Sequence, residues 1–364
     1  MKKLSDNDLL KAAINGDARQ LSSALNDGAN IEARDQAGNT SLILAATHGG
    51  SEGLATLIAR GAMLEARNDD GQTALMATVC NQRAKCAAIL MDAGANGNAK
   101  DKAGRRPATV AAQLEDASTL RALLNGNAAR ELCDAAGQTP LIAAVVAGAI
   151  EAADLLLDLG ASHEAENQDG ARPLALAAIG GHASLVKRLL LAGSDPNHQD
   201  NFGDNAWLGA LDYGQDECAA LLREARTKIN SVTHGTSGDS FLIHSARWGN
   251  ALRVRGLLLA KADQTKVDFD GRTALMVAAF TGNAACFRLL LPGADLTAKD
   301  KHGHTAIDLA KRKGRQEILD IVGGGNSIEQ AQIFVNMARK SSDKRETLPL
   351  PPAHPLPTAK VGRR

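Results

Sequence analysis

The stretch from Gly38 to Gly50, Gly-Asn-Thr-Ser-Leu-Ile-Leu-Ala-Ala-Thr-His-Gly-Gly, returns in variant form about every 33 residues along most of the chain. Taking its first glycine as position zero, the same register opens at Gly71, Gly104, Gly137, Gly170, Gly203, Gly238, Gly271 and Gly303, with a degenerate copy over residues 5–37, about ten copies in all. A unit this short cannot bury an apolar face alone. Its neighbours must stack on it and share one continuous core, so the 364 residues count repeats rather than globular domains.

Within each copy the residue types specify two helices. Thr40, Thr73, Thr139, Thr273 and Thr305 stand at position two, where a hydroxyl accepts from an orphan amide of the first helical turn. Pro107, Pro140 and Pro173 follow at position three, where a missing N–H costs nothing and the fixed φ is already helical. Position four is bulky in most copies (Leu42, Leu75, Leu141, Leu174, Trp207, Leu242, Leu275, Ile307) and position seven small (Ala45, Thr78, Ala111, Ala144, Ala177, Ala210, Ser245, Ala278, Ala310). That three-residue step places both on one helical face, the large residue filling the interior and the small one letting helices approach. A second helix carries leucine at position nineteen, from Leu57 to Leu290, and ends in Gly61, Gly94, Gly160 or Gly193, with Asn127 in the fourth copy, as a left-handed terminus requires.

The period, the Thr-Pro-Leu-like start and the Leu-Leu…Gly-Ala end resemble the ankyrin repeat. The resemblance implies an all-α repeat solenoid of stacked helix–turn–helix units with short β-hairpin-like fingers, spanning residues 4–322. It also implies action by binding proteins through a concave face and the finger tips. The family's histidine after Thr-Pro-Leu is absent here; Ile43, Met76, Ile142 and Ala175 take its place.

Two places depart from the pattern. Gln82 and Glu115 replace the inter-helix glycine of the third and fourth copies, which are expected to be the weakest, with Ala108 where neighbours have leucine. Between Arg226 and Gly238 a longer polar finger replaces the Gly-Ala end, either loop drift or a specialised contact loop. Beyond 322, a stripe of Ile328, Ala331, Phe334, Val335 and Ala338 predicts a short helix over 326–340, and residues 341–364 read as a disordered, proline-rich basic tail.

Candidate chemistry dissolves into the repeat. Cys86, Cys218 and Cys286 share position fifteen, where other copies have Thr119, Ala152 and Leu185, and read as core residues; Cys80 and Cys133 have no activating neighbour in sequence. His302 and His304 alone are too few for a metal, and no phosphate-cradling glycine motif stands between a strand and a helix. The expectation is no enzyme, no cofactor and no metal, and acidic finger residues such as Asp69, Asp70, Asp268 and Asp270 read as solubilising charge. Lysine plus arginine equals aspartate plus glutamate at 41 each, which removes the global field that nucleic acid or an anionic membrane would exploit. The amino terminus lacks a signal-peptide core, no apolar run is long enough to span a bilayer, and five cysteines fit a reducing compartment. A cytoplasmic monomer with a protein partner is expected.

One asymmetry rises above the repeat: both tryptophans, the tyrosine and all six phenylalanines lie at or after residue 202. Trp207 and Phe287 read as core. Tyr213 and Trp248 share position ten in successive copies, where His48, Asn81, Ala147, Gly180 and Thr281 stand elsewhere, and such variable chemistry marks a surface position. With Asp212, Arg247 and the finger residues Phe202 and Phe269 they compose a candidate protein-binding patch, aromatic plus arginine being hot-spot chemistry. The alternative is a pair half-covered by the 226–238 finger. Two further functions stay open: a translocated effector of a host-associated bacterium, suggested by the basic tail ending Lys360-Val-Gly-Arg-Arg, and an enzyme with a cysteine nucleophile.

Overall fold

In the computed structural model, which describes residues 5–125, 130–225, 227 and 238–323, helices follow one another in pairs from Asp6–Asn15 with Ala18–Asn26 to Ala306–Arg312 with Gln316–Ile321. The chain divides into two compact units, 1–195 and 196–364. Each is an all-α stack of helix–turn–helix repeats. The sequence readings at Asn127, within 226–237, over 326–340 and over 341–364 lie outside the described residues, apart from Thr227.

Helix starts follow the position-two rule. The amides of Ile43, Met76, Ile142 and Met276 donate to the hydroxyls of Thr40, Thr73, Thr139 and Thr273 at 3.3–3.4 Å, and Thr305 forms a full capping box with Asp308. Arg106 and Arg172 make no such side-chain bond, but Pro107 and Pro173 occupy the first turn after them.

First helices are buried almost all round, because most pack on their own second helix and on a neighbouring first helix. Ser41–His48, for example, meets Asp6–Asn15, Ser51–Ala59 and Ala74–Cys80, and every residue from Ser41 to Ala46 is buried. Small residues at position seven are therefore a packing requirement. Second helices bury only one stripe, as expected of amphipathic helices with one wet face. In Ser51–Ala59 that stripe is Gly53, Leu54 and Leu57. Gln82 and Glu115 adopt the left-handed φ of the glycines they replace, both at 55°, and Lys261 does so at 62°.

The fingers are organised by a residue the sequence reading took for surface charge. At position minus three, the side chains of Asp35, Asn68, Asp134, Asn167, Asp200, Asp268 and Asp300 each accept from the backbone amides two and four residues on. This Asx closure folds the finger back on itself. Asp268 is thus a buried scaffold residue rather than a solubilising one, while Asp69, Asp70 and Asp270 are exposed. Adjacent fingers are joined by single backbone bonds, among them Asp69 N–H to Ala37 O and Lys301 N–H to Asp270 O, and an isolated antiparallel bridge pairs Arg34 with Thr40.

Candidate functional site

Position ten of the first helix and the finger tips leave the candidate aromatics exposed in the second unit, and of these Phe202 and Trp248 line one recess. Trp248 ends the helix Phe241–Trp248 and is 74% exposed; Phe202 and Phe269 on the fingers are 68% and 65% exposed, and Tyr213 is 41% exposed. Trp207 and Phe287 are buried in the core. Large apolar side chains left in water at positions where packing does not require them are the feature of this unit that a partner can use.

Trp248 and Phe202 line one open recess of about 430 Å³, with Asp204, His244, Ser245, Asn250 and Arg253. The ring beside Trp248 is His244, with centroids 6.2 Å apart and planes tilted by 52°. Burial lowers the His244 pKa, which keeps the imidazole neutral near neutral pH. Tyr213, the cap of the helix Ala206–Asp212, shares Trp248's repeat position but does not line this recess. Phe269 lies over Gly238: a Cβ there would come within 2.7 Å of its ring, so the glycine at position zero makes room for the aromatic.

The two charged members of the candidate patch have their groups engaged within the chain. The Arg247 guanidinium donates to Asp239 at 2.7 and 2.9 Å and to Asp268 at 3.0 Å, tying two fingers together. The Asp239 hydrogen bond raises its pKa above the usual arginine value. Asp212 accepts from Asn250 at 2.7 Å and from Arg253. Arg253, which the sequence reading missed, occupies position fifteen, the slot of Cys86, Cys218 and Cys286 in other copies. It is only 8% exposed and reaches both Asp204 and Asp212. Burial works against its charge, but the hydrogen bonds and charges of those two aspartates outweigh burial and raise its pKa. The signal was an arginine in a small core slot. Its carboxylate partners, 41 and 49 residues away in sequence, gave no local clue.

The buried thiols are not activated as nucleophiles. Cys86, Cys218 and Cys286 are buried, burial raises each thiol pKa, and that of Cys286 is pushed up to about 11; Cys80 is raised likewise. Among the described residues no three His, Cys, Asp or Glu side chains gather as metal ligands. What remains is a set of exposed aromatics beside buried ion pairs.

The family model described as ankyrin repeats (3 copies) matches residues 9–101, 94–169, 174–268 and 242–329. The chain belongs to the ankyrin-repeat family. Curated relatives include the E3 ubiquitin-protein ligase XBAT33 of Arabidopsis thaliana, 36% identical over 110 residues, which are 29% of this chain and 21% of that protein. The potassium channel AKT1 of the same plant is 29% identical over 164 residues, covering 37% of this chain and 19% of the channel. Protein phosphatase 1 regulatory subunit 12A of Mus musculus is 29% identical over 140 residues, covering 37% and 13%. The chain thus spans about a fifth or less of the length of these relatives. Among solved structures, the ankyrin repeat domain of Bcl-3, an IkappaB family member, aligns at TM-score 0.55 and 25% identity over 59% of this chain and 97% of that domain. Ankyrin repeats are a protein–protein interaction scaffold and typically non-catalytic. Among the described residues no helix is long and apolar enough to cross a membrane.

Proposed function

We propose that this ankyrin-repeat chain is a non-enzymatic adaptor or inhibitor that holds one protein partner against the second unit, through Trp248, Phe202, Phe269 and Tyr213. The observation that carries the reading is the exposure of these four aromatics at repeat positions where most other copies place small or polar residues. Arg247 and Asp212 serve the site by holding its helices and fingers in place through Asp239, Asp268 and Arg253. Pre-formed anchors of this kind lower the ordering cost of association, which is why aromatic hot spots dominate such interfaces. That a mouse relative is a phosphatase regulatory subunit supports the adaptor role. The binding protein works as a monomer in the cytoplasm. The effector reading draws on residues 341–364, outside the described part, and shares the same binding face.

Affinity capture from native lysate of the producing cell, comparing wild type with Tyr213→Ala/Trp248→Ala, tests the proposal. Loss of two anchors should weaken recovery of the specific partner by about tenfold or more while Tm changes little. Equal recovery by the double variant would place the site elsewhere, and a large fall in Tm would make the aromatics structural.

A further inference from the structure

A second recess, of about 290 Å³, opens at the C-terminal end of the same unit, and its lining is basic. Phe280 forms its floor at position nine of its first helix. The Arg272 guanidinium carbon lies 4.7 Å from the centre of that ring and the Lys313 ammonium 4.6 Å. Two like charges on one ring repel each other, so the quadrupole attraction that holds them leaves their charge unneutralised. Arg312 approaches His304, whose ring stands 6.2 Å from that of His302, and Arg315 donates to Phe280 O at the edge, 3.3 Å away.

Two carboxylates among the described residues face this cluster, and both lie on the Arg272 and His304 side of it. Asp270 pairs with Arg272 at 2.8 Å. Asp300 is buried, with one oxygen accepting from the amides of His302 and His304 and the other, which makes no hydrogen bond among the described residues, 3.6 Å from Arg272. Among the described residues neither Arg312 nor Lys313 has a carboxylate partner, and both are exposed. The recess therefore carries surplus positive charge in a chain whose total is balanced.

We propose that this recess receives an acidic segment of the protein partner, its Asp or Glu carboxylates paired with Arg312 and Lys313 and its stem laid on Phe280. The proposal extends the adaptor reading, since finger and first-helix positions build both recesses. A polypeptide is favoured because the repeats are a protein-binding scaffold and the balanced total charge gives no field for nucleic acid. The chain's own residues 341–364 do not fit the role, since Lys344, Arg345, Lys360, Arg363 and Arg364 outnumber Asp343 and Glu346.

The test uses the full chain and a fluorescein-labelled oligoglutamate peptide, read by anisotropy, with a labelled oligothymidylate of equal charge as the second probe. Wild type should bind the peptide saturably and more weakly as salt rises. Arg312→Gln/Lys313→Gln should weaken it about tenfold with Tm unchanged, whereas Trp248→Ala should bind it as wild type does. Absence of saturable binding, or equal binding by the Gln variant, would overturn the proposal. So would equal binding of the oligothymidylate, which would mark a general polyanion surface. Because Trp248→Ala is silent here and decisive for partner capture, failure of one proposal is distinguishable from failure of the other.

Discussion

The first unit repeats a glutamate-to-amide bond from copy to copy, while in the second unit that slot holds other residues and buried ion pairs join the copies. In residues 5–195 the carboxylates of Glu32, Glu65, Glu131 and Glu164 each accept from a backbone amide about one repeat on, at Met63, Asn96, Ser162 and Asp195. Arg34 and Arg67 likewise reach the carbonyls of Arg67 and Lys100 at 2.6 and 2.5 Å. In the second unit the glutamate slot holds Thr265 and Thr297, whose hydroxyls donate to Asp263 and Asp295 of their own loops. Cross-repeat bonds there include the ion pairs of Arg253 with Asp204 and Asp212 and of Arg247 with Asp268, beside those of Asn283 with the Ala246 and Arg247 carbonyls and of Arg288 with Glu317. The same unit holds every aromatic residue. Uniform repeats supply a frame, and where the pattern is spent on singular ion pairs the surface above them acquires singular chemistry.

The largest expected effect breaks that contrast at Arg253. Replacing it by methionine leaves Asp204 and Asp212 without their cation, which typically costs about 3–5 kcal/mol for a buried pair. Hydrogen exchange should show the loss in residues 196–323 and unchanged protection in 5–125, since repeat arrays propagate stability mainly between neighbours. Adding Asp204→Asn and Asp212→Asn should recover most of it. Loss spread evenly over both units would erase the distinction.

A smaller effect of opposite sign belongs to the first unit. Gln82→Gly and Glu115→Gly should each stabilise by about 1 kcal/mol in denaturant titration, because a side chain at left-handed φ is strained and glycine is not. The same stretch holds Asn98 Oδ1, Thr109 Oγ1, Asp116 Oδ2 and Thr119 Oγ1, buried with no partner among the described residues, which makes it the expected first region to exchange. No gain from either glycine would mean the strain is already relieved.

The smallest effect contrasts two finger aspartates at one repeat position. Burial raises the Asp200 pKa, so its contribution is present below the unfolded carboxylate pKa and lost as pH rises through the folded value. Burial also acts on Asp35, but hydrogen bonds from Asn39 and Ala37 outweigh it and lower the pKa, so its contribution is present above the unfolded value and lost as pH falls. Asn68 and Asn167 show that asparagine suits the position. Unfolding at neutral pH should therefore show Asp200→Asn slightly stabilised and Asp35→Asn slightly destabilised, with both differences fading in acid. The same sign for both would refute the assignment.

Much of this was legible in sequence. Thr40 and its equivalents as caps, the buried leucines of position nineteen and the left-handed Gly61, Gly94, Gly160 and Gly193 all follow from local chemistry repeated in register. The surface position of Trp248 was legible too, from the variety of residues at position ten. What escaped was tertiary: the Arg253 cluster depends on distant aspartates, and the Phe280 recess on cations from two separate segments, Arg272 and Arg312–Lys313. The closing role of the finger aspartates was written in the period but masked by their charge, which reads as solvent-facing until burial is known.

The most direct test of the central claim is site-specific photo-crosslinking, with a benzophenone amino acid placed at Trp248 in one sample and at Leu191, equally apolar and exposed in the first unit, in another. Irradiation in native lysate of the producing cell should give a discrete protein adduct from position 248 and none from 191. An adduct at 191 with none at 248 would contradict the account.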